Sequence, residues 1–183
     1  MKRTWISIKL VIITIAVALL QIVAPQITEN FVLQADSVFY EPWTLVTYIF
    51  MHGSVLHLLY NMIALGLFGF ILENIIGEKR FLYFYFISGL VSGLASLALY
   101  PAVIGASGAI FGILGLLAVL RPTMTVYVSY LPMPMFVAVA IWAGGNILGL
   151  FAPDEIAYAG HLAGLVLGLG YGLWIRKKGS YKR

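Results

Sequence analysis

The sequence has no cysteine and few charged residues. Of its 183 residues, 10% are charged and 62% are hydrophobic, and the mean hydropathy is +0.99. The absence of cysteine excludes disulfide bonds, thiolate metal ligands and a cysteine nucleophile. A soluble protein is about one quarter charged, and one small core could not hide so many apolar side chains from water. These properties predict an integral membrane protein whose surface is largely solvated by lipid.

Six apolar runs are candidates for transmembrane helices, which need about 20 residues to cross the hydrocarbon core. The predicted spans are residues 5–24, 57–76, 81–100, 107–120, 132–151 and 155–175, and residues 25–53 form a long outer loop. The fourth run is short for a span unless the loop before it enters the protein. We therefore predict an all-α integral membrane protein in which residues 1–183 form a single membrane domain of six transmembrane helices.

Basic residues occupy only one side of these predicted spans. All 11 Lys and Arg residues precede or begin the first span, lie in the loops after the second and fourth spans, or follow the sixth. The alternate loops carry acidic residues and no basic ones. Because basic loops stay preferentially in the cytoplasm, we expect a multi-pass protein of the cell membrane with both termini cytoplasmic. The alternative for the first run is a cleaved signal peptide, which Pro25 after the cleavage site disfavours.

Polar side chains inside a span are costly and commonly functional. From a helical rise of about 1.5 Å per residue, Asn61, Ser107 and His161 lie roughly 20 to 22 Å above the predicted cytoplasmic ends of their spans. Three polar groups from three spans are therefore expected at one level, about a third of the way down from the outer face. His57 shares a helix face with Asn61 because the two are four residues apart.

Rows of glycines three or four residues apart predict close packing of the fourth and sixth spans. These glycines are Gly108, Gly112 and Gly115 in the fourth span and Gly160, Gly164, Gly168 and Gly172 in the sixth. Ser107 and His161 each adjoin the first glycine of one row. If the two rows meet, the imidazole can accept the hydroxyl proton and make the serine a nucleophile.

The residues around Ser107 are suited to binding an oxyanion. The sequence Gly105-Ala-Ser107-Gly predicts that the serine begins a helix, where unpaired N–H groups favour a negative charge. His57 and Asn61 are candidate side-chain donors to the same anion. Since no carboxylate is expected at this depth, the sequence predicts a Ser–His dyad.

Structural interpretations of the same residues stay open on this reasoning alone. A Ser, His or Asn in a span commonly makes only an interhelical hydrogen bond, and we expect that role for Asn146 and His52. For Glu73, near the cytoplasmic end of its span, we expect an ion pair with Arg80 or a helix anchor. Metal binding by the three histidines is disfavoured because no carboxylate is placed to complete a site. The residues by themselves leave proteolysis level with a transporter or channel.

Three motifs occur in order on the predicted spans. They are His52 followed by His57-Leu-Leu-Tyr-Asn61, then Gly105-Ala-Ser107-Gly108, then His161-Leu-Ala-Gly164-Leu-Val-Leu-Gly168. Together they resemble the rhomboid intramembrane proteases over residues 42–168. The resemblance implies that Ser107 is the nucleophile and that His161 is the general base and acid. It also implies that His57, Asn61 and backbone N–H groups, including that of Ser107, stabilise the oxyanion.

The resemblance further implies a six-helix fold in which water reaches the dyad from the outer side, with the fifth span and a loop as gate. Phe111 would stack on the histidine, where many members have Tyr. Trp43-Thr44 departs from the Trp-Arg of many members, so the anchoring of the outer loop is expected to differ. Gly160 stands where Ala is common and should allow a closer helix approach.

The sequence thus predicts a serine endopeptidase that cleaves transmembrane protein substrates near the outer membrane face through an acyl-enzyme. Its expected partners are these substrates and the lipid bilayer, with no nucleic acid, no metal and no cofactor. The alternative from another class is a non-proteolytic factor that binds membrane proteins for quality control, or a transporter.

Overall fold

A computed structural model of the chain describes residues 5–152 and 156–181. Some of the charged residues used to predict the topology lie outside these described residues, as does the start of the predicted sixth span. The residues concerned are Lys2, Arg3, Asp154, Glu155, Lys182 and Arg183.

Helices make up most of the described chain. In order they are α1 (Ile6–Val23), α2 (Gln26–Phe31), α3 (Thr44–Thr47), a 3₁₀ turn (Tyr48–Phe50), α4 (Val55–Ala64), a π-helical turn (Leu65–Gly69), α5 (Phe70–Ile76), α6 (Glu78–Leu97), α7 (Ser107–Leu120), α8 (Met135–Gly149) and α9 (Tyr158–Lys178). Within the described ranges, four helices are long and apolar enough to cross a membrane: α1, the continuous segment 55–76, α6 and α9. The helices α7 and α8 are apolar but shorter, so the arrangement of six spans and the position of the termini stay predictions.

Two short antiparallel strand pairs join the helices, and the sequence analysis assigned neither. Strand β1 (Leu33–Gln34) pairs with β2 (Ala102–Val103), which ties the outer loop to the segment before α7. Strands β3 (Thr125–Val128) and β4 (Leu131–Pro134) form a hairpin between α7 and α8. Because β4 occupies the residues before Met135, α8 begins at Met135 and not at the predicted position 132.

The glycine rows of α7 and α9 lie against each other. A Cβ atom at Gly164 would stand 2.1 Å from the carbonyl oxygen of Gly108, and one at Gly168 would stand 2.1 Å from that of Gly112. A side chain at either position would hold the two backbones apart, so glycine is required for this contact. Helix α6 closes the third side with Ser88, Ser92 and Ser96, whose side chains pack against glycines of both rows.

Glu73 anchors the start of α1. Its buried carboxylate accepts hydrogen bonds from the backbone N–H groups of Ile6 and Ser7, both at 2.8 Å, and from the Ser7 hydroxyl at 2.6 Å. The first N–H groups of a helix have no partner within the helix, and a carboxylate also favours the positive end of its dipole. Of the two roles expected for Glu73, the contacts are those of a helix anchor, while Arg80 donates to the carbonyl of Ser180.

Side-chain hydrogen bonds hold the outer loop. The Thr44 hydroxyl is buried and donates to the carbonyl of Glu41 at 2.6 Å, and the Trp43 indole donates to that of Asn30 at 3.1 Å. Gln21 of α1 bonds the backbone N–H of His52 at 3.0 Å and its carbonyl at 3.3 Å. The two bonds of Gln21 fix the segment leading into α4 against α1.

Candidate active site

The side chains of Ser107 and His161 are in direct contact. Ser107 is the first residue of α7, and its Oγ lies 2.7 Å from Nε2 of His161 in α9. This distance is that of a short O–H···N hydrogen bond. Both residues are half-buried, so the pair lies below the protein surface yet stays within reach of a molecule that enters the bundle.

A tight backbone turn presents the serine. Gly105 has a φ of 112°, which residues with a side chain rarely adopt, and a Cβ there would lie 2.6 Å from the His57 ring. Its N–H donates to the carbonyl of Tyr48 at 2.9 Å, which ties the turn to the outer loop. Helix α7 begins two residues later, and the unpaired N–H groups of its first turn therefore lie beside Ser107.

Aromatic rings hold the imidazole of His161. The Phe111 ring, one turn after Ser107 on α7, stacks on it with a centroid distance of 4.5 Å and an interplanar angle of 12°. Tyr158 meets it edge-on, with centroids 6.2 Å apart at 84°. The stacking proposed from the sequence therefore matches the position of Phe111, and Tyr158 is an additional contact.

Asn146 contacts the other imidazole nitrogen, a relation that the sequence analysis missed. Its Oδ1 lies 2.7 Å from Nδ1 of His161, and its Nδ2 donates to the carbonyl of Trp142 at 2.8 Å. The side chain is 7% exposed. The available signal was a single amide in the apolar run of α8, for which we expected an ordinary interhelical hydrogen bond. The contact is interhelical, but its partner is the histidine of the candidate dyad.

His57 and Asn61 line the same cavity as the dyad. Asn61 is buried and donates one amide hydrogen to the carbonyl of His57 at 3.0 Å, which leaves its other hydrogen available. The His57 backbone N–H is capped by the Ser54 hydroxyl at 3.1 Å, and its ring packs against Gly105. Both side chains therefore stand on the α4 side of the space in front of Ser107.

The cavity measures about 830 Å³. Its polar lining includes Ser107, His161, His57 and Asn61, and its apolar lining includes Tyr60, Phe68, Leu114 and Trp142. A volume of this size accommodates several amino-acid side chains. An apolar cavity with a few convergent polar groups is the usual form of a binding or active site.

His52 is buried beside His57, with ring centroids 5.0 Å apart. Its Nδ1 lies 3.3 Å from the carbonyl oxygen of Phe50, and its Nε2 has no hydrogen-bond partner. Burial, and secondarily the neighbouring His57, lowers the pKa of His52 to about 4. In the described part of the chain, no group of three or more His, Asp or Glu side chains could hold a metal ion.

Comparison with known proteins identifies the family of the chain. Residues 40–178 match the model of the rhomboid domain, which is more than half of the chain. The chain therefore belongs to the rhomboid family, as its three motifs predicted.

Relatives include two proteins named as proteases. The rhomboid protease GluP of Bacillus subtilis is 36% identical over 131 residues, which is 70% of this chain and 25% of GluP. Rhomboid protein 1 of Saccharomyces cerevisiae mitochondria is 34% identical over 142 residues, covering 70% of this chain and 40% of the yeast protein. The rhomboid protease GlpG of Haemophilus influenzae is 28% identical over 136 residues, covering 72% and 69%. The chain thus spans a quarter of GluP and well under half of the yeast protein.

Proposed function

We propose that this protein is an intramembrane serine endopeptidase that cleaves transmembrane protein substrates near the outer face of the membrane. The observation that carries the proposal is the 2.7 Å contact between Ser107 Oγ and His161 Nε2 at the wall of a cavity. A hydroxyl and an imidazole in this relation are the parts needed for nucleophilic catalysis. Membership of a family that includes named proteases supports the same conclusion.

The first half of the reaction forms an acyl-enzyme. Ser107 Oγ attacks the carbonyl carbon of the scissile peptide bond while its proton passes to Nε2 of His161. The resulting tetrahedral intermediate collapses as the C–N bond breaks, and His161 gives the proton to the leaving amine. In the second half, His161 takes a proton from water as the water attacks the ester. His161 then gives this proton to Ser107 Oγ as the C–O bond breaks and the acid product leaves.

Hydrogen-bond donors around the first turn of α7 stabilise the oxyanion. The backbone N–H of Ser107 is free of an intrahelical partner, and the side chains of His57 and Asn61 face the same cavity. Removing one such donor costs roughly 10²- to 10³-fold in kcat in a well-studied serine protease. We expect a loss of this order for Asn61→Leu if the amide binds the oxyanion.

Substrates of this enzyme must expose a peptide carbonyl within the membrane. A transmembrane helix hides its carbonyls in its own hydrogen bonds, so the segment around the cut must unwind before attack. We therefore expect substrates with helix-destabilising residues near the outer membrane face. The same proposal includes six spans, both termini in the cytoplasm, a dyad reached from the outer side, and α8 with its adjoining loop as gate.

Cleavage by the Ser107→Ala variant tests the proposal. The purified protein is reconstituted in lipid with a fluorogenic transmembrane-helix peptide that carries glycine and proline near its outer end. We expect cleavage by the wild type and none by Ser107→Ala, with both proteins equally stable. A fluorophosphonate probe should label the wild type and neither Ser107→Ala nor His161→Ala. Equal cleavage by wild type and Ser107→Ala would refute the mechanism, and absence of both cleavage and labelling favours a non-proteolytic binding factor.

A further inference from the structure

Building on the proposed protease function, we propose that Asn146 is a positioning residue that sets the tautomer and the orientation of His161. Ser107 and His161 remain the reacting pair, and Asn146 is hydrogen-bonded to the side of the imidazole away from the serine. Two hydrogen bonds of 2.7 Å, one at each imidazole nitrogen, define this arrangement. The dyad expected from the sequence lacked any group at Nδ1.

The amide of Asn146 can be oriented in only one way. A backbone carbonyl oxygen accepts hydrogen bonds and never donates them, so the atom of Asn146 that lies 2.8 Å from the Trp142 carbonyl must be the NH₂ group. The remaining atom, Oδ1, therefore faces His161 Nδ1. A flipped amide would place two acceptor oxygens together at Trp142.

This orientation determines where the imidazole proton resides. Because Oδ1 can only accept, Nδ1 of His161 must carry hydrogen and donate it. A neutral imidazole has one N–H, so Nε2 is then unprotonated and accepts from the Ser107 hydroxyl. This is the tautomer that a general base requires at the serine, and the opposite tautomer would have no lone pair there.

Stacking alone does not fix this arrangement. Phe111 holds the plane of the imidazole, but a half-turn about the Cβ–Cγ bond keeps that plane and exchanges the ring nitrogens for carbons. A hydrogen bond to a ring nitrogen distinguishes the two positions, and such bonds exist to Ser107 at Nε2 and to Asn146 at Nδ1. The bond to the buried Asn146 acceptor becomes more favourable as the ring gains positive charge during attack.

An amide is also suited to this depth in the bilayer. A carboxylate would strengthen the bond to an imidazolium, but an ionised group within a span is costly while the imidazole is neutral. The described cavity lining contains no carboxylate, and its titratable side chains besides His161 are His57, Tyr48 and Tyr60. Asn146 supplies the acceptor without adding a charge that would have to be paired in the resting enzyme.

The test compares Asn146→Leu with a matched control, Asn74→Leu. Both asparagines donate Nδ2 to the carbonyl four residues earlier at 2.8 Å, but Asn74 lies in α5 and does not line the cavity. With the fluorogenic peptide described above, we expect kcat of Asn146→Leu to fall about 10- to 100-fold with little change in KM, because a buried imidazole N–H loses its acceptor. The Asn74→Leu variant should keep the wild-type kcat. The Asn146→Asp variant keeps an acceptor oxygen for Nδ1 but loses the donor to the Trp142 carbonyl, so its kcat should lie between those of Asn146→Leu and the wild type.

A second readout does not depend on cleavage. The chain has three histidines, so the imidazole ¹⁵N spectrum of histidine-labelled protein in lipid can be assigned with His52→Gln, His57→Gln and His161→Ala. We expect the His161 signal of the wild type at neutral pH to be that of the Nδ1–H tautomer, and Asn146→Leu to shift it toward Nε2–H.

Unchanged kcat in Asn146→Leu, or a His161 tautomer that is the same in both proteins, would overturn the proposal. If the wild type neither cleaves the peptide nor reacts with the fluorophosphonate, the protease function fails, and the ¹⁵N spectra still decide whether Asn146 sets the tautomer.

Discussion

Substituting Gly164 by alanine should disable the site without touching any reacting group. The new Cβ would lie 2.1 Å from the carbonyl oxygen of Gly108, the residue after Ser107. Non-bonded carbon and oxygen atoms need a separation of more than 3 Å, so α7 and α9 must move apart by about 1 Å at this point. His161 is three residues before Gly164 on α9 and must move with it.

The expected magnitude follows from that displacement. Lengthening the 2.7 Å contact between Ser107 and His161 by about 1 Å takes it beyond hydrogen-bond range. A misplacement of about 1 Å costs on the order of 10²-fold in rate. Overpacking at the helix contact should also lower the free energy of unfolding by about 1 to 3 kcal/mol.

Two other glycines of α9 provide matched controls for cleavage and thermal unfolding. Gly168→Ala meets the Gly112 carbonyl at the same 2.1 Å, one turn farther from Ser107, and should cost similar stability with a smaller loss of kcat. A Cβ at Gly170 meets no atom within 4 Å, so Gly170→Ala should be neutral or slightly stabilising. The reasoning fails if Gly164→Ala cleaves at the wild-type rate, or if its loss of kcat is no greater than that of Gly168→Ala.

Three further predictions concern residues outside the reacting pair, namely His52, Glu73 and Phe111. Because the pKa of His52 is about 4 in the fold and about 6.5 in an unfolded chain, only the unfolded form gains its proton as pH falls through this window. The free energy of unfolding should therefore decrease from pH 6.5 to 4 by up to about 3 kcal/mol. Melting curves of His52→Gln, measured at several pH values, should lack this part of the pH dependence. Glu73→Gln should lower the free energy of unfolding by about 1 to 3 kcal/mol, since its carboxylate bonds Ile6 and Ser7; an unchanged melting temperature would exclude the anchor role. Phe111→Leu should reduce kcat while Phe111→Tyr keeps it, and equal rates in all three proteins would show that stacking on His161 is dispensable.

The pairing of Ser107 with His161 could be anticipated because its determinants are local. Helix rise sets depth, and the spacing of small residues sets which faces can approach. Both are properties of single helices that the sequence states directly. In the structure, Gly164 and Gly168 contact the backbone of α7 as that reasoning required.

The contact of Asn146 with His161 could not be anticipated in the same way. It depends on the rotation and tilt of α8, whose C-terminal half meets the bundle at few positions. A Cβ at Gly144 or Gly145 would meet nothing within 4 Å, and Leu148 is 75% exposed. Small residues four apart on α8, such as Ala140 and Gly144, lie on a face without a close backbone contact, so the sequence identified a polar residue without its partner.

The β3–β4 hairpin was missed for a different reason. Pro132 and Pro134 in β4 indicated a helix start, since proline lacks the N–H that a sheet needs and is tolerated in the first turn of a helix. A two-stranded hairpin has only edge strands, where a proline can face away from its partner. Ser129 and Tyr130, at the turn, both adopt positive φ values, which a serine and a tyrosine do not predict.

The close contact of α7 and α9 also explains why this protein should fold in the same way with or without its reacting side chains. In lipid, apolar side chains gain little by leaving the solvent, so helices associate mainly through close packing and hydrogen bonds. The backbones meet at Gly164 and Gly168, and Ser92 and Ser96 of α6 fill the groove beside them. The distance between the Ser107 and His161 backbones is therefore set by this packing and not by the hydrogen bond between their side chains. Removing the Ser107 hydroxyl should abolish the reaction and leave the site assembled, whereas Gly164→Ala should impair the reaction by leaving every reacting group present but out of reach.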